Sequence, residues 1–121
     1  MIGAFKMDHL DTLVSQAYKD TVKRIGGRGP RNIYTKILGN RIDIHFWLLK
    51  SPFEQFIFEN FSDGKELLSG IYGRINEIIK DQAISEIQQQ TGLTLEFISF
   101  EFCIEDDRFC FSLEIKGERE E

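Results

Sequence analysis

The segment Lys23-Arg24-Ile25-Gly26-Gly27-Arg28-Gly29-Pro30-Arg31 places four cations around a glycine-rich turn, in a chain whose net charge is −5. Glycines that bare backbone N–H groups, beside two guanidinium forks, are suited to hold a phosphate or carboxylate. Gly27, Arg28, Gly29 and Arg31 are therefore candidate anion-binding residues. The preceding helix argues the other way. Phosphate loops usually run from a strand into a helix N-terminus, where the dipole favours negative charge. Here a helix C-terminus enters the loop and its dipole opposes an anion. The competing reading is a glycine helix cap with solvated arginines.

Other reactive side chains are sparse. His45 and the acidic run Glu105-Asp106-Asp107 lie on separate hairpins, and His9 stands near a helix start, a poor set of ligands for a metal. Cys103 and Cys110 make neither a disulfide framework nor a zinc site. No Gly-x-Ser-x-Gly or paired-carboxylate motif supplies a nucleophile or an acid–base pair. The expectation is a protein that is not an enzyme and needs no cofactor or metal.

These residues must be positioned by regular elements. Leu10, Leu13, Val14, Ala17, Val22 and Ile25 follow helical spacing from about residue 8 to 25. Gly26-Gly27 ends that helix, and Pro30 prevents its continuation. Residues 32–38 and 41–49 then alternate as a hairpin around Gly39-Asn40, with glycine where a type II′ turn needs positive φ. That register sets Ile37 against Ile42, Thr35 against Ile44 and Ile33 against Phe46 on one face. Lys36 against Asp43 and Tyr34 against His45 fall on the other.

Ser51-Pro52-Phe53-Glu54 is a capping box with proline at the first helical position. The short helix it opens carries Phe53, Phe56, Ile57 and Phe61. After Ser62-Asp63-Gly64 a long helix spans about 65–91, with the stripe Leu67, Leu68, Ile71, Ile75, Ile78, Ile79, Ala83 and Ile87, and Gly92 as its stop. A second hairpin covers about 94–116. With Asp106-Asp107 as its turn, Phe102 meets Phe111, Ile104 meets Phe109 and Phe100 meets Leu113. Cys103 then faces Cys110 in a hydrogen-bonded pair, about 5.5 Å apart at Cα, a geometry that permits a strained disulfide. In a reducing cytosol the pair reads as two thiols.

The result is one α+β domain over 1–121, in the order α-β-β-α-α-β-β. Two hairpins form an antiparallel sheet with helices packed on one face, and residues 1–7 and 117–121 are frayed. No apolar tract reaches the ~18 residues needed to cross a bilayer, and no signal peptide opens the chain, so the expected place is the cytoplasm. Net acidity argues against nucleic acid as a partner. Tyr34, Leu38, His45, Trp47 and Leu49 share the non-core face of the first hairpin. Aromatic residues of this kind favour interface centres, so Tyr34, Leu38, His45 and Trp47 are candidate interface residues for a homodimer.

Gly27-Arg28-Gly29-Pro30, the hairpin, the Ser-Pro-x-Glu helix start, the long helix ending in Thr91-Gly92 and the closing hairpin together resemble the MpsC-like family. These are small bacterial proteins named for component C of a membrane-potential-generating system. The resemblance spans about residues 8–115. Gly70 and Gly73 inside the long helix depart from the family pattern, as do Phe100 and Glu101 where a small polar residue and Asp are expected. The resemblance implies a bacterial cytosolic protein associated with sodium- or bicarbonate-related membrane transport, and carries no reaction or cofactor with it. The reading is a non-enzymatic protein-binding or regulatory module, with a membrane-transport-associated protein as a further partner. The alternative is a sensor of an anionic metabolite or nucleotide at Gly26–Arg31.

Overall fold

The computed structural model describes residues 9–118. Its elements are α1 (Leu10–Gly26), β1 (Arg31–Leu38), β2 (Arg41–Trp47), α2 (Pro52–Asn60), α3 (Gly64–Thr91), β3 (Leu93–Cys103) and β4 (Arg108–Glu118), with a 3-10 turn at Ile104–Asp106. The fold is α+β in the expected order. The frayed ends expected at 1–7 and 117–121 lie outside the described residues except for Gly117 and Glu118, which pair with Thr94 and Leu93.

The sheet is antiparallel in the order β1-β2-β4-β3, so the two hairpins join through β2 and β4. Helices α1 and α3 pack on one face. Ile42, Ile44, Phe46, Phe109, Phe111 and Leu113 point toward them and are buried together with Val14, Tyr18, Leu68, Tyr72 and Ile87. The tilted Tyr18–Phe111 rings (4.8 Å) and edge-on Tyr72–Phe109 rings (5.2 Å) link each helix to β4. Such aromatic pairs add to the burial of roughly 150–250 Å² per ring.

The first hairpin has the expected register from Tyr34↔His45 to Leu38↔Arg41. Gly39 takes φ 61, as a type II′ turn requires. Toward the other end, the pairing of Ile33 with Phe46 gives way to a bulge, where Asn32 adopts φ 52 and Arg31 pairs with Trp47. A bulge on an edge strand also discourages pairing with a stray chain.

The second hairpin corrects the expected register by two residues. Its loop is not Asp106-Asp107 alone but Ile104–Asp107, with Ile104 buried and Asp107 left-handed at φ 58. Phe102 therefore faces Phe109 and Phe100 faces Phe111, while Cys103 faces Arg108 and Cys110 faces Glu101. Because side chains alternate with a period of two, this slip preserves both faces and moves only the partners. Cys103 and Cys110 are thus not cross-strand partners, and both are free.

The helices differ from expectation in which apolar residues they bury. On α2, Ile57 and Phe58 pack on the core, whereas Phe53 and Phe56, and Phe61 just past the helix end, are 73%, 56% and 47% exposed. On α3, the inner stripe is Leu68, Tyr72, Asn76, Ile79, Ala83 and Ile87; Leu67, Ile71, Ile75 and Ile78 face outward. On α1, Leu13 is only partly buried and Ile25 is exposed, while Tyr18 and Thr21 enter the core. Proximity to the sheet selects one of two available apolar faces. Helical spacing alone does not.

Candidate functional site

The glycine–arginine loop is held by a four-residue polar knot. Gly27 closes α1 in the left-handed conformation (φ 76), and its N–H donates to the Lys23 carbonyl. The chain then turns so that Arg28 reaches the start of α2. There Ser51 Oγ accepts from Glu54 N (3.2 Å) and Ser51 N donates to Glu54 Oε1 (2.7 Å), completing the capping box read from the sequence. The same carboxylate accepts both Arg28 Nη1 (3.0 Å) and Nη2 (3.4 Å), and Tyr72 OH from α3 donates to Oε2 at 3.1 Å.

Burial works to raise the pKa of Glu54, but the bonds from Arg28 and Ser51 outweigh it and hold the carboxyl below its ordinary range. Burial, followed by the Glu54 charge, pushes the Tyr72 phenol up to about 12, so it remains a donor. The knot is electrically closed, since the fork expected to receive an external anion already receives an internal one. Arg31 lies apart from it, exposed at the start of β1. Behind the knot, an apolar cavity of about 90 Å³ is lined by Tyr18, Arg28, Phe46, Tyr72, Asn76 and Phe109, among others. Burial raises the Tyr18 phenol far above its usual range.

The second candidate surface is the sheet face away from the helices. Tyr34 stacks on His45 (4.9 Å, 15° between planes) and lies 6.3 Å from Trp47. These rings border a depression of about 280 Å³ that continues over Glu101, Cys103, Arg108 and Cys110. Tyr34 is 41% and Leu38 75% exposed, and His45 and Trp47 are half-buried. The face therefore brings Tyr34, His45 and Trp47 together, with Leu38 at the hairpin end.

Beside the aromatic row, Asp43 accepts from Ser112 Oγ (2.6 Å) and Arg41 Nε (2.9 Å). Burial acts to raise the Asp43 pKa, but these bonds win and lower it. The expected cross-strand neighbour Lys36 does face Asp43, yet Asp43 takes its bonds from Arg41 and Ser112. Burial raises the Cys110 thiol, the Ser112 bond lowers it in part, and the net direction is up. A raised thiol is a poor nucleophile near neutral pH.

One residue escaped the sequence reading. The Lys50 side chain is only 4% exposed; its amine donates to Asp107 Oδ1 (2.7 Å) and the Ile104 carbonyl (2.5 Å), and lies 4.5 Å from the Phe58 ring centroid. It locks the four-residue loop of the second hairpin. A lone lysine before a capping box gives no signal of this, because its partners lie more than fifty residues away in sequence.

Among the described residues, no group of three or more His, Cys, Asp or Glu could hold a metal ion. No described helix is long and apolar enough to cross a membrane. No curated protein and no solved structure matches the chain. A family model does: that of MpsC, described as a Na+-translocating membrane potential-generating system, matches residues 7–110. That stretch includes the Arg28–Glu54–Tyr72 knot, the Thr91-Gly92 exit from α3 and the aromatic row of β1 and β2, and the chain belongs to the MpsC family.

Proposed function

We propose that the protein is a cytoplasmic binding module without catalytic chemistry, serving a bacterial Na+-translocating or bicarbonate-related membrane system by holding another protein on its open sheet face. The observation that carries this reading is the row Tyr34–His45–Trp47 standing over a depression of about 280 Å³ on the face away from the helices. Stacked aromatic rings with polar edges supply contact area at little entropic cost, which is why Tyr and Trp anchor interfaces. The surrounding Arg41, Asp43, Glu101 and Arg108 provide charges of both signs that can fix orientation.

Trp47 is the only tryptophan of the chain, so its fluorescence reports directly on that face. Titration with membranes from cells that carry the Na+-translocating system should shift its emission to the blue, and membranes lacking the system should not. The Tyr34→Ser/Leu38→Ser variant should lose the shift. An emission spectrum unchanged by both membranes would count against the reading. A sensor of anionic ligands at Gly26–Arg31 would require Arg28 to leave Glu54, which makes it the less favoured alternative.

A further inference from the structure

We propose that two copies of this chain pair antiparallel through the outer stripe of α3, around a two-fold axis beside Ile75. This helix carries two apolar stripes, and the core uses one. Leu67, Ile71, Ile75 and Ile78 form the other, with exposures of 41%, 44%, 41% and 70%; Ile75, at its inner edge, also lines the cavity behind the knot. Their four- and three-residue spacing keeps them on one helical face. Phe53, Phe56 and Phe61, on α2 and in the link to α3, add exposed rings, with Phe56 and Phe61 in edge contact at 6.3 Å. The exposed parts of these seven side chains amount to roughly 700 Å², close to the ~800 Å² that each partner of a stable complex buries. Single exposed apolar residues need no explanation, but four along one helical face do.

Charge points to a second copy as the occupant. Arg74 and Glu77 flank the stripe on its outer side. Arg74 has no ion-pair partner among the described residues, and Glu77 meets only Lys80, three residues away and at the surface. An antiparallel pair centred on Ile75 lays Ile71 against Ile78 of the other copy and Ile75 against its own mate. The same operation brings Arg74 to Glu77 on both sides of the axis, as a self-complementary surface requires. A parallel pair would instead turn Arg74 and Glu77 toward the opposite flank of the mate, away from each other's copies.

This pairing leaves the open sheet face to the other protein proposed above, but does not depend on that assignment.

Light scattering on the purified full-length chain tests the pairing. Wild type should be a dimer at about 100 µM. Ile71→Ser/Ile78→Ser should be a monomer with unchanged far-UV circular dichroism, and Tyr34→Ser/Leu38→Ser should remain dimeric. Arg74→Glu and Glu77→Arg should each weaken dimerisation by about tenfold or more, and the double exchange should restore it to within about threefold of wild type. A monomeric wild type, including one that sediments with anionic lipid vesicles, would overturn the proposal. A dimer broken by the Tyr34/Leu38 change but not by the Ile71/Ile78 change would also overturn it, while leaving the sheet face as a binding surface. A double exchange no tighter than its single changes would overturn the antiparallel register.

Discussion

Replacing Arg28 with methionine tests whether the Gly-Arg-Gly-Pro segment serves the fold or a ligand. Methionine keeps much of the side-chain stem and removes the guanidinium, leaving Glu54 with bonds from Ser51 N and Tyr72 OH. Truncating one partner of a fully buried pair costs about 3–5 kcal/mol. Here the Arg28 side chain is 40% exposed and that of Glu54 17%, so solvent screens part of the loss. The expected destabilisation is about 1–2 kcal/mol, which for a chain of this length lowers Tm by about 3–10 °C. Urea unfolding of Arg28→Met, Glu54→Gln and the double variant should show a coupling of about 1 kcal/mol between the two sites.

The dependence on pH has a definite sign. A carboxyl held below its ordinary 4.5 stabilises the fold above that value and loses its contribution as pH falls through the lower folded-state pKa. Wild type should therefore lose more stability than Glu54→Gln below about pH 4.5. Millimolar phosphate should shift the Tm of wild type and of Arg28→Met/Arg31→Met alike, because the fork is already occupied by Glu54. A cost below about 0.3 kcal/mol with no coupling would refute the knot. A phosphate shift of several degrees confined to wild type would refute the closed-fork reasoning and favour the anion sensor.

Gly39→Val should destabilise by about 1 kcal/mol or more, since valine resists the φ of 61 at that turn; a urea midpoint equal to that of wild type would contradict the turn geometry. Gly64→Ala should cost more, about 2–4 kcal/mol, because a Cβ there would strike the Ile57 carbonyl oxygen where α3 leaves α2; calorimetry against Gly70→Ala, which has open space, provides the comparison. Cys110 in a Cys103→Ser background should react with a disulfide reagent at pH 8 more slowly than free cysteine, following its raised pKa and partial burial. Reaction at the free-cysteine rate would show the thiol to be more open than described.

Local chemistry in the sequence accounts for much of this fold. Gly27, Gly39 and Gly92 mark backbone reversals by their positive φ, and Ser51 with Glu54 marks a helix start through bonds only three residues apart. Thr91 is legible in the same way: its hydroxyl accepts from Leu93 N and donates to the Ile87 carbonyl as α3 hands over to β3. What escaped reading depends on contacts made only after collapse. Ile104 looks like a ladder residue because it alternates correctly, yet Lys50 draws its carbonyl into a loop. Leu67 and Leu68 are equally apolar, and only the position of the sheet decides that Leu68 goes inside. At the candidate sites, the Tyr34–His45 stack follows from hairpin alternation, whereas the use of Arg28 by Glu54 requires α1, α2 and α3 to meet.

The strand order β1-β2-β4-β3 has a consequence for the birth of the protein. On a ribosome, α1 and the first hairpin emerge early, and β2 then waits with one hydrogen-bonding edge unfilled. Its partner β4 is made only after α3 and β3, and the pairing of Arg41 with Glu114 and Trp47 with Arg108 joins an early segment to a much later one. Until then, Ile42, Ile44 and Phe46 sit beside an open edge of the kind that recruits other nascent chains. A chain that stalls in α3 would present that edge for as long as the stall lasts, making this interval the one at which a chaperone that shields strand edges would have most effect.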